Sequence, residues 1–134
     1  MALPSLWRNN RWPMYDREPL GNWLTGRTVL LGDAAHPMLQ YLAQGACQAI
    51  EDGVSLADSL DRHLTDAAPD AVSVDKALHA YQDERIPRTS HIQRTARVWG
   101  DMWHIDGVGA LLRNEVFTGR AVDDYRHVDP IYGA

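Results

Sequence analysis

The sequence predicts an α/β chain in which one or two short amino-terminal strands are followed by a mostly helical second half. Three observations support this prediction. A β-branched and aliphatic run lies between two glycines at 26–33, an apolar stripe of helical period begins at Gly45, and helical spacing resumes after residue 73. A pair of strands does not form a stable sheet alone, so we expect the chain to be the carboxyl-terminal part of something larger.

The two predicted strands differ in character. The first spans about residues 6–14, where tryptophans lie among Asn, Arg and Pro, and Pro13 confines it to an edge because proline donates no ladder hydrogen bond. The second contains the continuous aliphatic run Val29-Leu30-Leu31. A run without alternation is typical of a strand that is covered on both faces.

The first helix is predicted over about residues 45–64, because apolar residues recur every three or four positions. The predicted buried stripe consists of Ala46, Ile50, Val54, Ala57, Leu60 and Leu64. The opposite, solvent-facing side would carry Glu51, Ser55, Asp58 and Arg62. We interpret Glu51 and Asp52 as a solvated or salt-bridged pair.

Ser73 is placed to cap a second helix, whose apolar positions continue to Trp103. Its predicted inward positions are Leu78, Tyr81, Ile92, Ala96, Trp99 and Trp103. Pro87 should bend or break it, since proline removes one donor and crowds the carbonyl of Asp83. A short helix follows at about 108–117, and residues 119–134 are predicted to form an irregular tail.

Composition excludes several classes of protein. The 134 residues carry 18 acidic and 13 basic side chains, a net charge of −5, which argues against nucleic acid. No apolar stretch of about 18 residues could span a bilayer, so no membrane partner is expected. A single cysteine and the absence of a secretion signal favour a cytoplasmic protein. The six histidines are too dispersed to suggest a metal site.

The residues that suggest a functional site lie between Gly32 and Ala46. A strand ends in Gly32-Asp33, a loop follows, and Gly45 opens a helix whose first amides have no partner within the helix. Those amides place partial positive charge toward the loop, so an electron-rich group would be stabilised there. Asp33 lies at the carboxyl end of the strand, where it can accept hydrogen bonds from the hydroxyls of a sugar-like chain.

The run GDAAHPMLQYLAQGACQAIEDG at 32–53 resembles the second flavin-contacting motif of the FAD-dependent aromatic hydroxylases. Looser similarity lies in WLTGR at 23–27 and YQDERIPR at 81–88. The LQYLA version at 39–43 is most similar to the 3-hydroxybenzoate 6-hydroxylase type, within a family that also includes salicylate hydroxylases. The resemblance implies the carboxyl-terminal part of a Rossmann-like FAD-binding fold of the 4-hydroxybenzoate hydroxylase type.

The resemblance also implies roles for particular residues. Asp33 would bind the ribityl hydroxyls of FAD, and the backbone of Gly45 and Ala46 would face the N1 and C2 carbonyl edge of the flavin ring. The remaining implied cofactor contacts are Gly32, Pro37 and Gln44. Gln40 stands where many members have proline and could offer its amide to a substrate phenol or carboxylate. His36 is either a general base or, more commonly for such a residue, an organiser of the loop.

For the whole protein, the resemblance implies a monooxygenase that uses NADH or NADPH to hydroxylate a hydroxybenzoate-type or salicylate-type ring. A homodimer is a candidate assembly. The implied division is 1–26 as the end of a substrate-domain sheet, 27–64 as the FAD-contacting strand, loop and helix, 73–118 as carboxyl-terminal helices, and 119–134 as the tail. The family's G-x-G-x-x-G pyrophosphate motif is not among these residues. That leaves a rival interpretation open, a non-catalytic remnant that acts as an association module. A hydrolase built on Asp33 and His36 is disfavoured, because no serine has a nucleophile-elbow context.

Overall fold

A computed structural model of the chain describes residues 13–65 and 70–132. The strands are β1 (Leu24–Thr25) and β2 (Thr28–Val29), and two single 3₁₀ turns follow at Gly32–Ala34 and Gln40–Leu42. The helices are α1 (Gly45–His63), α2 (Ala71–His104), α3 (Gly107–Gly119) and α4 (Asp129–Tyr132). The order of two short strands followed by helices is the predicted one. None of the helices in the described part is long and apolar enough to cross a bilayer.

The strands form a small antiparallel hairpin, in which Leu24 pairs with Val29 and Thr25 with Thr28. Gly26 makes the turn with a φ of 57°. The prediction that Val29, Leu30 and Leu31 form a strand covered on both faces was wrong: strand pairing ends at Val29, and Leu31 is 39% exposed. Within the described residues, the hairpin places a neighbouring strand along one edge of this aliphatic run and not along the other. Of the other predicted strand, residues 13 and 14 belong to no strand, and residues 6–12 lie outside the described residues.

Helix α1 has the predicted length, but the predicted buried face was wrong. Ile50 is 69% exposed and Val54 is exposed as well. The face that packs against α2 is polar and consists of Gln48, Asp52, Ser55 and Ser59. Gln48, Asp52 and Ser59 have specific partners on α2; for example, the Ser59 hydroxyl donates to the carbonyl of Ala77 at 2.7 Å. Hydrogen bonding of the polar face therefore decides the orientation of the helix.

Helix α2 begins one turn earlier than its predicted cap. Asp70 is the N-cap, and its carboxylate accepts a hydrogen bond from the amide of Ser73 at 2.7 Å. The prediction that Ser73 is the cap was therefore wrong. The helix also continues through Pro87, so the break that was one of the two predicted outcomes does not occur. Pro87 and Asp83 both lie on the exposed face. Water can therefore hydrate the carbonyl that loses its donor.

The described core consists of two clusters of buried residues. One contains Leu42, Ile92, Ala96 and Ile131, and the other contains Trp23, Ala35 and Tyr81. Four predicted inward positions of α2 are thereby confirmed as buried, namely Leu78, Tyr81, Ile92 and Ala96. Trp103, in contrast, is exposed.

Helix α3 matches its predicted position, yet all of its residues are at least partly exposed. The tail is not wholly irregular, because α4 buries Ile131 against α2 and the second 3₁₀ turn. The Tyr132 hydroxyl also donates to the carbonyl of Leu42 at 2.9 Å. The end of the described chain thus covers the loop that precedes α1.

We expect Ile92→Ala to lower the free energy of unfolding by about 2–5 kcal/mol, because it leaves a cavity in a fully buried cluster. Ile50→Ala is the matched control, with the same atoms removed from an exposed helical position, and should change stability by no more than about 0.5 kcal/mol. Urea unfolding followed by circular dichroism measures both. Equal losses for the two variants would contradict the described packing.

Candidate functional site

The loop between the hairpin and α1 brings Asp33 beside the first residue of α1. Asp33 is exposed in the first 3₁₀ turn. A Cβ atom placed on Gly45 would lie 3.9 Å from Asp33 Oδ1 and 3.9 Å from Met38 Cγ. The carboxylate and the beginning of the helix therefore border the same space, and the absence of a side chain at Gly45 keeps that space open.

No side chain of the described residues caps the N-terminus of α1. Its N-cap residue, Gln44, makes no side-chain hydrogen bond to the first amides, and no acidic residue occupies the first turn. Ala43, just before it, has a left-handed φ of 53°, which costs an alanine about 1 kcal/mol or more. The first amides and the positive end of the helix dipole remain available to an electron-rich group.

The other predicted site residues lie in different environments. Gln40 is exposed at the start of the second 3₁₀ turn, and Ala46 is exposed in the first turn of α1. Pro37 is partly buried, and its carbonyl accepts a hydrogen bond from Gln93 Nε2 at 2.9 Å. Gln44 is buried, and its side-chain carbonyl accepts from Gln48 Nε2 at 3.1 Å. The side-chain carbonyl of Gln44 is therefore engaged within α1.

His36 and Asp52 form a buried pair behind the turn. His36 Nε2 lies 2.6 Å from Asp52 Oδ2, and neither side chain is exposed. The same Asp52 oxygen accepts the backbone N–H of Gly32 at 2.9 Å, and Oδ1 accepts from Arg85 Nε at 2.7 Å. Burial alone would raise the pKa of Asp52, but hydrogen bonds from His36, Arg85 and Gly32 outweigh it and hold that pKa below its usual value.

Glu51 adds a second carboxylate to this cluster at its partly exposed edge. It accepts from Arg85 Nη1 at 2.8 Å and from Arg88 Nε at 2.6 Å. Mainly through the hydrogen bond from Arg88, which acts against desolvation, the pKa of Glu51 falls to about 2. The predicted salt bridging of Glu51 and Asp52 is thus confirmed, whereas solvation of Asp52 is not, because Asp52 is fully buried.

Sequence reasoning did not identify the residues that hold the loop in place. The Tyr81 hydroxyl donates to the Leu30 carbonyl at 3.2 Å, and Gln82 accepts the Trp23 amide at 3.0 Å. Arg17 donates from Nη2 to the carbonyl of Ala34 at 2.6 Å, beside Asp33. A signal was present, because Tyr81, Arg85, Thr89 and Gln93 recur at intervals of four on one face of α2.

Comparison with known proteins identifies the family of the chain. The family described as FAD binding domain matches residues 3–96 of the chain. The chain belongs to this FAD-binding domain family. Among the described residues, no group of three or more His, Cys, Asp or Glu could hold a metal ion.

Relatives of this FAD-binding chain are named as aromatic hydroxylases. A 3-hydroxybenzoate 6-hydroxylase 2 from Aquipseudomonas alcaligenes is 44% identical over 134 residues, 99% of this chain and 39% of the relative. A 3-amino-4-hydroxybenzoate 2-monooxygenase from Streptomyces platensis is 42% identical over 118 residues, 87% of this chain and 28% of the relative. The chain thus spans well under half the length of the curated relatives that it matches.

A solved structure of a salicylate hydroxylase substrate complex matches the fold of the chain. The TM-score is 0.61 at 33% sequence identity, over 78% of this chain and 26% of that protein. The family resemblance identified from the GDAAHP segment is confirmed by these comparisons.

Stability should depend on pH through Glu51. Its folded-state pKa of about 2 lies below the ordinary 4.5, so its ion pairs stabilise the fold above about pH 4.5, and this contribution is lost as the pH falls toward 2. Glu51→Gln should therefore be less stable than wild type near neutral pH, and the difference should shrink with acidification. Urea unfolding at a series of pH values measures it.

Glu115→Gln is the control for this series, because Glu115 is exposed and makes no ion pair within the described residues. The stability of this variant should equal that of wild type at every pH in the series. A Glu51→Gln deficit that stays constant down to the lowest pH at which the protein folds would contradict the ion-pair interpretation.

Proposed function

We propose that this chain supplies the part of an FAD-dependent aromatic-ring monooxygenase that holds the ribityl chain and one edge of the flavin ring. The observation that carries this proposal is the exposed Asp33 carboxylate beside the uncapped first turn of α1. The rest of the Rossmann-like fold, including a G-x-G-x-x-G pyrophosphate cradle, we assign to other segments of a longer protein.

The residues present fit this cofactor chemically. A carboxylate such as Asp33 accepts hydrogen bonds from the hydroxyls of a ribityl chain, and the Gly45 and Ala46 amides donate toward the electron-rich N1 and C2 carbonyl edge. The helix dipole also favours negative charge at that edge. When bound, FAD supplies the redox chemistry, with NADH or NADPH as reductant and O₂ divided between the ring hydroxyl and water. The chain's own contribution is position and electrostatic stabilisation.

We propose a hydroxybenzoate-type ring as the substrate class. Two relatives are named for hydroxylation of hydroxybenzoates, and the structural neighbour is named for salicylate. Gln40 supports this assignment, since its exposed amide in the loop before α1 can bond a phenol or a carboxylate.

A chimera tests the cofactor role, in which this chain replaces the aligned segment of the Aquipseudomonas alcaligenes relative. Asp33→Asn should raise the dissociation constant for FAD about tenfold or more, because it weakens charge-assisted bonds to hydroxyls. Asp58→Asn, an exposed carboxylate farther along α1, is the matched control and should leave binding unchanged. Flavin absorbance after dialysis and FAD titration give the constants.

A chimera that folds with no flavin, or one in which Asp33→Asn binds FAD as wild type does, would overturn the proposed role. If the chimera does not fold, riboflavin fluorescence titrated with the 134-residue chain and its Asp33→Asn form decides instead. No quenching by the wild-type chain would then overturn the proposal and favour the non-catalytic association module.

Gln40 should govern the substrate rather than the flavin. In the chimera, Gln40→Ala should raise KM for 3-hydroxybenzoate about threefold to tenfold, as expected for a lost neutral hydrogen bond, with FAD affinity unchanged. Gln40→Glu should raise KM further, since it would repel the substrate carboxylate. Steady-state NADH oxidation measures both variants. An unchanged KM in both would remove Gln40 from the substrate site.

A further inference from the structure

We propose that Asp52 is a positioning residue for the turn that presents Asp33, so that its buried carboxylate sets the geometry between Asp33 and the first amides of α1. This inference rests on the proposed flavin role of that turn and adds a residue that acts through the turn rather than on the cofactor. His36 then acts as a fixed partner of Asp52 rather than as a general base.

The first support is that Asp52 holds the turn at both of its ends. Its Oδ2 atom accepts the Gly32 amide at 2.9 Å and contacts His36 Nε2 at 2.6 Å. Gly32 precedes Asp33 by one residue and His36 follows it by three. Asp33 makes no side-chain hydrogen bond within the described residues, so the backbone at these two ends sets its direction.

The second support is that the turn is pressed against α1. Gly32 has a φ of 58°, and a Cβ atom there would approach the Ala49 Cβ to 3.2 Å, closer than side chains ordinarily pack. Ala49 precedes Asp52 by three residues on the same helix, and Gly45 begins that helix. Asp52 therefore joins the turn that carries Asp33 to the helix that carries the uncapped amides.

The third support is that the two carboxylate oxygens of Asp52 accept hydrogen bonds from different partners. Oδ1 accepts from Arg85, and Oδ2 accepts from Gly32 and His36. Both oxygens must therefore accept, which only a carboxylate can do. Asparagine has the same shape, but its side-chain NH2 group would face either Arg85 or the donors of the turn. Asp52→Asn therefore cannot keep both the Arg85 bond and the bonds to the turn, and it changes the side-chain volume very little.

Glu51→Gln is the matched control. Glu51 neighbours Asp52 on α1, carries the same charge and binds the same Arg85, but within the described residues it makes no hydrogen bond to the turn. Both variants remove one negative charge and weaken one Arg85 ion pair. A purely structural role predicts similar effects for the two, whereas a positioning role predicts a difference at the turn.

Two measurements distinguish these possibilities. In the ¹H–¹⁵N spectrum of the folded 134-residue chain, Asp52→Asn should shift the amide resonances of Gly32 and Asp33, and Glu51→Gln should leave them in place. In the chimera, Asp52→Asn should raise the FAD dissociation constant about tenfold or more. Glu51→Gln should stay within about twofold of wild type. The visible spectrum of bound flavin should change only in the Asp52 variant.

Unchanged Gly32 and Asp33 resonances in Asp52→Asn overturn the positioning role, whatever the flavin does. A wild-type chimera without flavin overturns the proposed function instead, while the resonances still report on Asp52. If Asp52→Asn does not fold, hydrogen exchange of the wild-type chain decides. Slow exchange of the Gly32 amide supports the bond to Asp52, and exchange at the rate of an unstructured peptide overturns it.

Discussion

The buried carboxylate of Asp52 constrains most of this structure. A charge without solvent exposure is costly unless it is paired and hydrogen-bonded, and Asp52 meets that requirement only where α1, α2 and the first 3₁₀ turn come together. Arg85 must lie opposite it, the Gly32 amide must point at it, and α1 must turn its polar face inward. Removal of one partner from such a buried pair typically costs about 3–5 kcal/mol.

This constraint explains which parts of the fold could be predicted. Periodicity located α1 and α3 well, because helical spacing depends only on the sequence. It could not orient α1, since the apolar set containing Ile50 and Val54 and the polar set containing Asp52 and Ser59 have the same period. Hydrophobicity favoured the first set. Pairing with Arg85, 33 residues after Asp52 in the sequence, buries the polar set instead. No local sequence pattern indicates such a distant partner.

The candidate site was more predictable than the packing around it. The Gly32-Asp33 pair and Gly45 were identified from a strand, a loop and a helix start, and the structure brings them together as that order implies. The loop itself is not held by a sheet. Polar side chains of α2, among them Tyr81 and Gln93, bond its backbone at Leu30 and Pro37. Helix α2 thus holds the irregular loop in one conformation. Because the loop backbone needs hydrogen-bond partners, polar side chains of α2 do this rather than apolar ones.

The exposed position of Cys47 near the start of α1 has a practical consequence. It follows Gly45 by two residues, on the helix whose first amides border Asp33, and it is the only thiol in the sequence. A maleimide dye attached there would have no competing target. Occupancy of the neighbouring space could then be followed optically in the natural sequence, with no engineered label site.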